Sequence, residues 1–457
     1  MTKVSGMASF VLLICIGIAY LLLEPNAATN INTETTAKIV GLGVLLSLII
    51  EYNNGVKNLW RADILAIIGI YTLTLFEFLF EQEALNRKIS QGEAYGGLQL
   101  ILVGLFFLVL GRHLFTYRLT DQSRNLGQAN VRLLLRLYYL CFVLGFLYVL
   151  ITVSFDPVAM IYEAMRPRFS QPWARGRFGN WFVFLSELQL FTYAVPPLAG
   201  ILLNYRRNLS SYHVIIITIL LTISLFMGFV GGTRNVFFSY LIGFIGGYML
   251  MKEKLSLRKL VLPGIMTLTL AYLAASYMIQ FRSIGLTRFI EGYREKSIDA
   301  DLVYVDHNLY TIGLLRQSFP GKHEFLGMEV FTWALVKPIP RVLWPSKPEG
   351  LSVSMEEIAG VGEGYTLAST YIGESYMAGG IPVVIMISLL LGYLAARWNT
   401  RAMGNLDNES LLIYALGLFA VGITMRSLLM FTTAILPVIG VTILLRYLRR
   451  RKTRLSH

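Results

Sequence analysis

Long apolar runs without a charged residue are the feature that most limits what this chain can fold into. Examples are residues 10–23, 98–110, 214–230 and 383–396, each about the length that crosses the hydrocarbon layer of a bilayer. Hydrocarbon offers no partners to backbone amides, so a crossing segment must be a helix or part of a closed barrel. Barrel strands would alternate apolar and polar residues, whereas these runs are continuous. We therefore predict an all-α, polytopic membrane protein.

The runs predict about twelve transmembrane helices. They are residues 7–24, 37–51, 62–80, 97–114, 133–153, 179–203, 213–230, 235–251, 259–280, 381–397, 410–424 and 428–446. This divides the chain into helices 1–9 (1–280), a long connecting segment (281–380), and helices 10–12 with a basic tail (381–457). The first run resembles a signal peptide, but with eleven runs after it we expect a retained helix.

Composition excludes several classes of protein. Of the 457 residues 55% are hydrophobic and 15% charged, which is unlike a cytosolic enzyme. The net charge of +13 comes from basic residues that border the apolar runs, which is typical of membrane topology, and we expect no nucleic-acid partner. Cys15 and Cys141 each lie inside an apolar run, and no histidine or carboxylate cluster has metal-ligand spacing. We therefore expect no disulfide framework, no metal and no cofactor.

Basic residues also predict the orientation. With a cytoplasmic amino terminus, the connections 112–132, 204–212, 252–259 and 397–409 and the tail 446–454 place their basic residues inside. The segment 281–380 then lies outside, with nine Lys and Arg against twelve Asp and Glu.

The connection 156–177 does not fit this orientation. It holds Arg166, Arg168, Arg175 and Arg177, yet it falls on the outer side. Either one span is miscounted, or these arginines face something anionic outside the membrane.

The segment 281–380 is large enough for a small, mainly helical extramembrane unit. Residues 301–318 predict an amphipathic helix, because apolar residues recur at steps of three and four behind a capping-type aspartate. Residues 328–336 form a short apolar stretch, predicted to lie on the bilayer surface or under the unit. Residues 337–348 contain four prolines, so they predict a stiff, non-helical loop.

Four arginines are the candidate catalytic residues, since all fall on the predicted outer side. They are Arg234 in a Gly-Gly-Thr-Arg turn, Arg282 after the ninth span, Arg341 in the proline-rich loop and Arg426 in the last outer turn. Guanidinium groups match phosphate oxygens in pairs, so several around one cavity would hold a pyrophosphate. The alternative is that each simply snorkels from a helix end.

Further candidates lie in the same region. Trp344 can stack against a sugar ring or anchor its loop at the headgroup level. Glu374 can accept a proton from a sugar hydroxyl or pair with an arginine, and the pairing is favoured. The neighbouring Tyr376 is a candidate substrate contact, and Asp306 with His307 forms a weaker acid–base pair.

The Gly-Gly-Thr-Arg turn at 231–234, the Pro-Arg-Val-Leu-Trp-Pro-Ser-Lys-Pro element at 340–348 and the late outer segment together resemble the O-antigen polymerase (Wzy-type) family of oligosaccharide repeat unit polymerases. The resemblance implies a metal-independent glycosyltransferase with a GT-C-like membrane architecture in the bacterial inner membrane. Its site would face the periplasm, and its substrates would be undecaprenyl-pyrophosphate-linked glycan donors and acceptors. A chain-length regulator is a candidate partner beside membrane lipid.

Carried over by position, the four arginines would contact pyrophosphate or acceptor, and Trp344 and Lys347 would line the glycan path. Glu374 ranks first and the Asp306–His307 pair second as general base. Three alternatives stay open: an O-antigen ligase, which would need His307 or His323; a flippase for lipid-linked oligosaccharide, a transporter; and a non-catalytic assembly component.

Overall fold

Every regular element in the described part of this computed structural model is helical. The structure describes residues 1, 3–115, 131–174, 182–232, 234–252, 269, 277–278, 281–293, 307–341, 343–360, 367–403 and 408–455. The α-helices are α1 Gly6–Leu21, α2 Thr29–Asn53, α3 Ala62–Thr74, α4 Glu83–Asn86, α5 Gln91–Gly111, α6 Val131–Thr152, α7 Pro157–Ala164, α8 Phe182–Glu187, α9 Val195–Asn204, α10 Ser211–Val230, α11 Arg234–Leu250, α12 Leu286–Ile290, α13 Asn308–Ser318, α14 Met328–Val336, α15 Met355–Ile358, α16 Thr370–Trp398, α17 Asn408–Arg426 and α18 Phe431–Leu455. The predicted all-α class is confirmed.

Among the described residues, seven segments are long and apolar enough to cross a membrane. They are Thr29–Asn53, Gln91–Gly111, Val131–Thr152, Ser211–Val230, Thr370–Ala402, Glu409–Arg426 and Leu428–Leu448. Two further apolar helices, Gly6–Leu21 and Ala62–Thr74, are shorter. The predicted run 179–203 is divided between α8, a 3-10 stretch at Leu188–Ala194 and α9, and most of 259–280 lies outside the described residues. A membrane-spanning helical protein is thus supported, while the number twelve stays a prediction.

The described part of 281–380 holds α12 to α15 and the first half of α16. The predicted apolar stretch 328–336 coincides with α14, and residues 337–341 and 343–350 contain no helix, as the prolines predict. The predicted helix 301–318 begins at Asn308 where it is described, and His307 before it has a positive φ of 49°. Residues 301–306 lie outside the described residues.

Helix α16 is broken at Gly379 and Gly380. Gly380 has φ 69° and ψ −158°, a conformation that L-residues with a side chain rarely adopt. The break frees carbonyl groups, and two of them are satisfied by a neighbouring segment: Leu326 N donates to Met377 O at 2.9 Å and Gly327 N to Ala378 O at 3.0 Å. The first half of α16 can therefore stay buried, because its backbone polar groups keep partners.

The two ends of the helical bundle differ in the residues they bring together. At the Asp63 end, side chains from the starts of α1, α3 and α17 meet those from the ends of α5 and α16. At the Glu374 end, the start of α16 lies against the turn between α17 and α18, and the start of α11 lies beside the last residue of α17. The candidate arginines lie at the Glu374 end.

Candidate functional site

Gly231 and Gly232 follow α10, and Arg234 and Asn235 begin α11; we call these four residues the 231–235 turn. A glycine is needed at its second position for two reasons. Gly232 has φ 63°, and a Cβ built on it would lie 2.8 Å from Cβ of Arg282. The left-handed backbone and the close approach both exclude a side chain here. The structure therefore packs the chain at Arg282 directly against the turn that Arg234 closes.

Arg426, the last residue of α17, contacts the same turn from another side. With its amide oxygen turned toward Arg426, Asn235 accepts hydrogen bonds from Nε at 2.9 Å and Nη1 at 3.1 Å. Positions 234, 282 and 426 are far apart in sequence, yet all three lie around the 231–235 turn. All three residues are half-buried, so their charge is partly shielded from water.

Glu374 holds the turn that follows Arg426. It is 2% exposed; its Oε1 accepts from Ser427 Oγ at 2.6 Å and its Oε2 from Leu429 N at 3.0 Å. Hydrogen bonds to a carboxylate are among the stronger ones in proteins. The contacts link the first half of α16 to the turn between α17 and α18, and thereby fix the end of the helix that carries Arg426.

Arg341 makes its contacts within the proline-rich loop. It is half-exposed; Nη1 lies 3.5 Å from Oε1 of Glu349, and Nη2 donates to Pro348 O at 3.3 Å. Trp344 is 37% exposed and donates from Nε1 to Ser346 Oγ at 2.9 Å. Both residues present part of their surface outward. Neither makes a described contact with the residues of the 231–235 turn.

Lys347 lies beneath that loop. It is 8% exposed, and its Nζ donates to Lys337 O at 2.7 Å and Ile339 O at 2.9 Å while lying 5.2 Å from the centre of the Trp333 ring. Burial lowers the pKa of the Lys347 ammonium, the charge of Arg341 lowers it further, and Glu187 opposes both effects. The ammonium thus binds backbone carbonyls after α14, which orders the loop that carries Trp344.

Tyr376 belongs to the interior of the Glu374 end. It is 2% exposed, accepts from Arg316 Nη1 at 2.9 Å and donates to Phe319 O at 3.1 Å. His307 is half-buried before α13, whose Asn308 donates from Nδ2 to Leu73 O at 2.7 Å. Asp306, its predicted partner, lies outside the described residues. Tyr376 therefore supports the fold around the site through its contacts with α13.

The connection that did not fit the predicted orientation lies beside Arg282. The guanidinium carbons of Arg168 and Arg282 lie 5.8 Å and 6.0 Å from the centre of the Phe169 ring. Thr287 N also donates to Met165 O at 3.4 Å. Arg168 was not a candidate site residue. Its connection had been noted only because its arginines fall on the predicted outer side.

A buried ionic network at the Asp63 end was not predicted from the sequence. Asp63 accepts from Arg61 Nε and Nη2 at 3.0 and 2.8 Å and from Arg112 Nη1 at 3.3 Å. Nη1 of Arg61 lies 3.6 Å from Oε2 of Glu51. These four side chains are at most 2% exposed, so each charge depends on the others for compensation.

Polar side chains complete this network. Arg112 Nε donates to Ser9 Oγ at 3.0 Å, and Asn399 donates to Asp63 while its Oδ1 accepts from Ala62 N at 2.8 Å. Tyr414 donates to Trp60 O at 2.8 Å. In sequence these residues look like ordinary charged and polar residues at the ends of apolar runs. The network links six helices, α1, α2, α3, α5, α16 and α17, at the end of the bundle away from the four candidate arginines.

The described residues contain no group of three or more His, Cys, Asp or Glu side chains able to hold a metal ion. The candidate residues that meet around the 231–235 turn, Arg234, Arg282 and Arg426, are all cationic. Their half-buried guanidinium groups are suited to an anionic ligand rather than a cation.

Comparison with known proteins gives one match. A family model described as a domain of unknown function, DUF8712, matches residues 311–421. This region runs from α13 into α17 and includes Arg341, Glu374 and Tyr376, while Arg234, Arg282 and Arg426 lie outside it. No curated protein and no solved structure matches the chain.

Proposed function

We propose that this protein is a membrane glycosyltransferase that polymerises undecaprenyl-pyrophosphate-linked oligosaccharide repeat units into a surface polysaccharide. One observation carries the proposal: Arg234, Arg282 and Arg426, from three separate parts of the chain, lie around a single glycine turn at the Glu374 end. Several guanidinium groups around one turn suit a pyrophosphate, whose oxygens accept paired hydrogen bonds.

In the proposed reaction, a hydroxyl of the acceptor repeat unit attacks the anomeric carbon of the growing glycan. The new bond joins that carbon to the acceptor oxygen, and the bond to the pyrophosphate oxygen breaks. The electron pair of the broken bond stays on undecaprenyl pyrophosphate, and the hydroxyl proton passes to a base. Fixed cations near the departing phosphate oxygens stabilise the negative charge that develops there.

Arg234, Arg282 and Arg426 would bind the pyrophosphate. Trp344 and Arg341 would lie on the glycan side. Both oxygens of Glu374 already accept hydrogen bonds from Ser427 and Leu429, so we assign it to positioning the turn after Arg426. The Asp306–His307 pair is then the leading candidate for the base, since His307 is half-buried beside α13.

The proposed setting is the bacterial inner membrane, with the Glu374 end on the periplasmic face. Support comes from the apolar helices and from the basic tail at residues 446–454, which the positive-inside rule assigns to the cytoplasm. Because successive spans cross the membrane in opposite directions, the four candidate arginines would then lie on the opposite face. Labelling Glu349→Cys with a membrane-impermeant thiol reagent in intact cells tests this orientation.

The decisive experiment supplies purified protein with lipid-linked repeat units and separates the products by size. A ladder of glycans is expected from the natural protein, and products of one repeat from Arg234→Ala and Arg426→Ala. Arg87→Ala is the matched control, because Arg87 is exposed and pairs only with Glu83 four residues away. Transfer to a lipid A core instead would establish a ligase, and full-length ladders from both site variants would overturn the assigned roles.

A second candidate function is transport of the lipid-linked oligosaccharide. The broken helix α16 with the buried Glu374 in its first half favours it, because discontinuous helices line the substrate sites of many transporters. Reconstituted vesicles distinguish the two functions. Movement of labelled lipid-linked repeats across the bilayer without new glycosidic bonds would favour the transporter.

A further inference from the structure

The chain forms a short helix, α7, shortly after α6 ends. Ser154 and Phe155 have positive φ angles of 54° and 62° and turn the chain sharply. Asp156 then caps α7, since its Oδ1 accepts from Val158 N at 2.8 Å and Ala159 N at 3.1 Å. The turn directs α7 away from the axis of α6, so α7 does not prolong that span.

Helix α7 is apolar on both its faces. Met160 packs in one cluster with Phe146, Val149 and Val153 of the preceding helix end. On the other face Val158 is 74% exposed and Tyr162 58% exposed. Apolar side chains gain no favourable contact from water, and the described residues leave this outer face uncovered, so an apolar environment outside the chain would stabilise it.

A second short segment extends the same surface. Helix α12 is joined to the end of α7 by the hydrogen bond from Thr287 N to Met165 O, and a Cβ on Gly285 would lie 2.8 Å from that carbonyl oxygen. Beyond this junction Ile290 is 71% and Tyr293 63% exposed. Two segments from distant parts of the chain therefore meet at residues 165–167 and 285–287, and each exposes large apolar or aromatic side chains.

Arginines border this apolar surface. The ring centre of Phe169, which is 70% exposed, lies 5.8 and 6.0 Å from the guanidinium carbons of Arg168 and Arg282, distances typical of cation–π contact. Of the acidic residues nearby, Glu163 pairs with Arg166 at 3.0 Å, Asp156 caps α7, and the exposed Glu291 follows α12. At Phe169 itself two guanidinium groups place positive charge next to an exposed aromatic ring.

We propose that α7, α12 and Phe169 form a membrane-surface site that lies in the headgroup layer and binds the phosphate of an anionic phospholipid through Arg168 and Arg282. Tyrosine and other amphipathic side chains concentrate at this depth of a bilayer, and arginine pairs with phosphate there. The surface continues directly from the end of α6, a helix long enough to span the membrane. Arg282 is shared with the proposed pyrophosphate site, so Arg168, which has no role in that site, is the residue that distinguishes the two ligands.

Depth of insertion is the first test. Val158→Cys and Tyr162→Cys are made in full-length protein with Cys15→Ala and Cys141→Ala, labelled with bimane and reconstituted in nanodiscs. Lipids brominated near the headgroup should quench both labels strongly. A label at Glu349→Cys is the control, because the Glu349 side chain is 92% exposed in the proline-rich loop. Equal, weak quenching at all three positions would show that α7 lies in water and would refute the proposal.

Lipid selectivity is the second test. Native mass spectrometry counts phosphatidylglycerol and phosphatidylcholine retained by the protein, with Arg87→Gln as control for Arg168→Gln and Arg282→Gln. A basic residue at an anionic surface contributes about 1 kcal/mol, so each site variant should retain phosphatidylglycerol about five-fold more weakly. Unchanged retention in both variants would refute the phosphate contact even if the depth test succeeds.

Discussion

Asn235 and Arg426 join the first turn of α11 to the last turn of α17 through two hydrogen bonds of 2.9 and 3.1 Å. The two residues are almost two hundred positions apart in sequence, and each lies next to another residue of the candidate site. Arg234 precedes Asn235, and Ser427, the partner of Glu374, follows Arg426. The relationship fixes the two helix ends that carry two of the arginines.

Replacing Arg426 by lysine should disrupt this junction although the charge is kept. A lysine ammonium cannot reproduce the paired Nε and Nη1 donors, so Arg426→Lys and Asn235→Ala should lower the free energy of unfolding by similar amounts, each about 1.5 kcal/mol or more. Thermal unfolding in detergent measures this, with the exposed Asn54→Ala as control. A double variant should cost little more than either single one, and full additivity would argue against the contact.

Adding a methyl group at Gly232 should be costly. Gly232→Ala places a Cβ in a left-handed residue, which costs about 1–2 kcal/mol, and forces Arg282 away from a 2.8 Å approach. We expect a lower unfolding temperature and loss of the glycan ladder. Gly422→Ala is the matched control, because no atom lies within 4 Å of its added Cβ. A Gly232→Ala variant as stable as the control would show that the turn is not under this constraint.

Glutamine at position 374 should separate a positioning role from a base role. Glu374→Ala leaves Ser427 and Leu429 without their acceptor and should destabilise the protein by about 3 kcal/mol, whereas glutamine keeps one acceptor oxygen and should cost less. Residual polymerisation by Glu374→Gln with an unchanged pH profile is expected. If glutamine preserves stability but abolishes turnover at every pH, Glu374 is the base. Glu349→Ala serves as the exposed control.

Removing the charge of Asp63 should be among the most destabilising single changes. Asp63→Asn deprives Arg61 and Arg112 of their shared carboxylate inside the protein, which costs about 3–5 kcal/mol for a buried pair. The yield of membrane-inserted protein and its unfolding temperature report the effect. The exposed pair of Lys38 and Glu34 at 2.9 Å provides the control, since Glu34→Gln should change stability by about 1 kcal/mol at most. If Asp63→Asn and Glu34→Gln lowered the unfolding temperature by similar amounts, the buried charges would not stabilise one another.

The contribution of Lys347 to stability should increase with pH. The pKa of the Lys347 ammonium is lowered in the folded protein, mainly by burial, so the unfolded chain binds more protons between the lowered pKa and the ordinary value of 10.5. Stability therefore rises with pH through that window, and the loss caused by Lys347→Met should grow as pH approaches it. Unfolding temperatures of both proteins across alkaline pH measure the difference. If the stability loss caused by Lys347→Met shrank with rising pH, the pKa of Lys347 would be raised in the folded protein, contrary to this prediction.

Features of the fold that depend on neighbouring residues were predictable. Helix α14 occupies the predicted stretch 328–336, and the four prolines of 337–348 exclude a helix from its described part, because apolar content and fixed φ angles act locally. The break of α16 lies at the glycine pair where the predicted outer segment ends. The division of residues 179–203 was not foreseen, since hydropathy does not report the geometry of a helix.

The candidate site was predictable in its residue types and less so in its contacts. The sequence identified the arginines as candidates, and their common side of the membrane stays a prediction, whereas the packing of Arg282 on Gly232 depends on how α10 and the chain after residue 278 meet. Lys347 shows the opposite case. Its charge predicts an exposed ligand contact, but the fold turns the ammonium toward the carbonyls of Lys337 and Ile339.

Hydropathy, read along the chain, determined that this protein is helical and that apolar segments can cross a bilayer. Those properties are local, because transfer free energies of neighbouring residues add within one segment. Only the tertiary structure decided that Arg112 shares Asp63 with Arg61, that Glu374 binds Ser427, and that Arg426 reaches Asn235. Such pairings depend on the rotation and depth of helices distant in sequence, and packing of the whole bundle sets both.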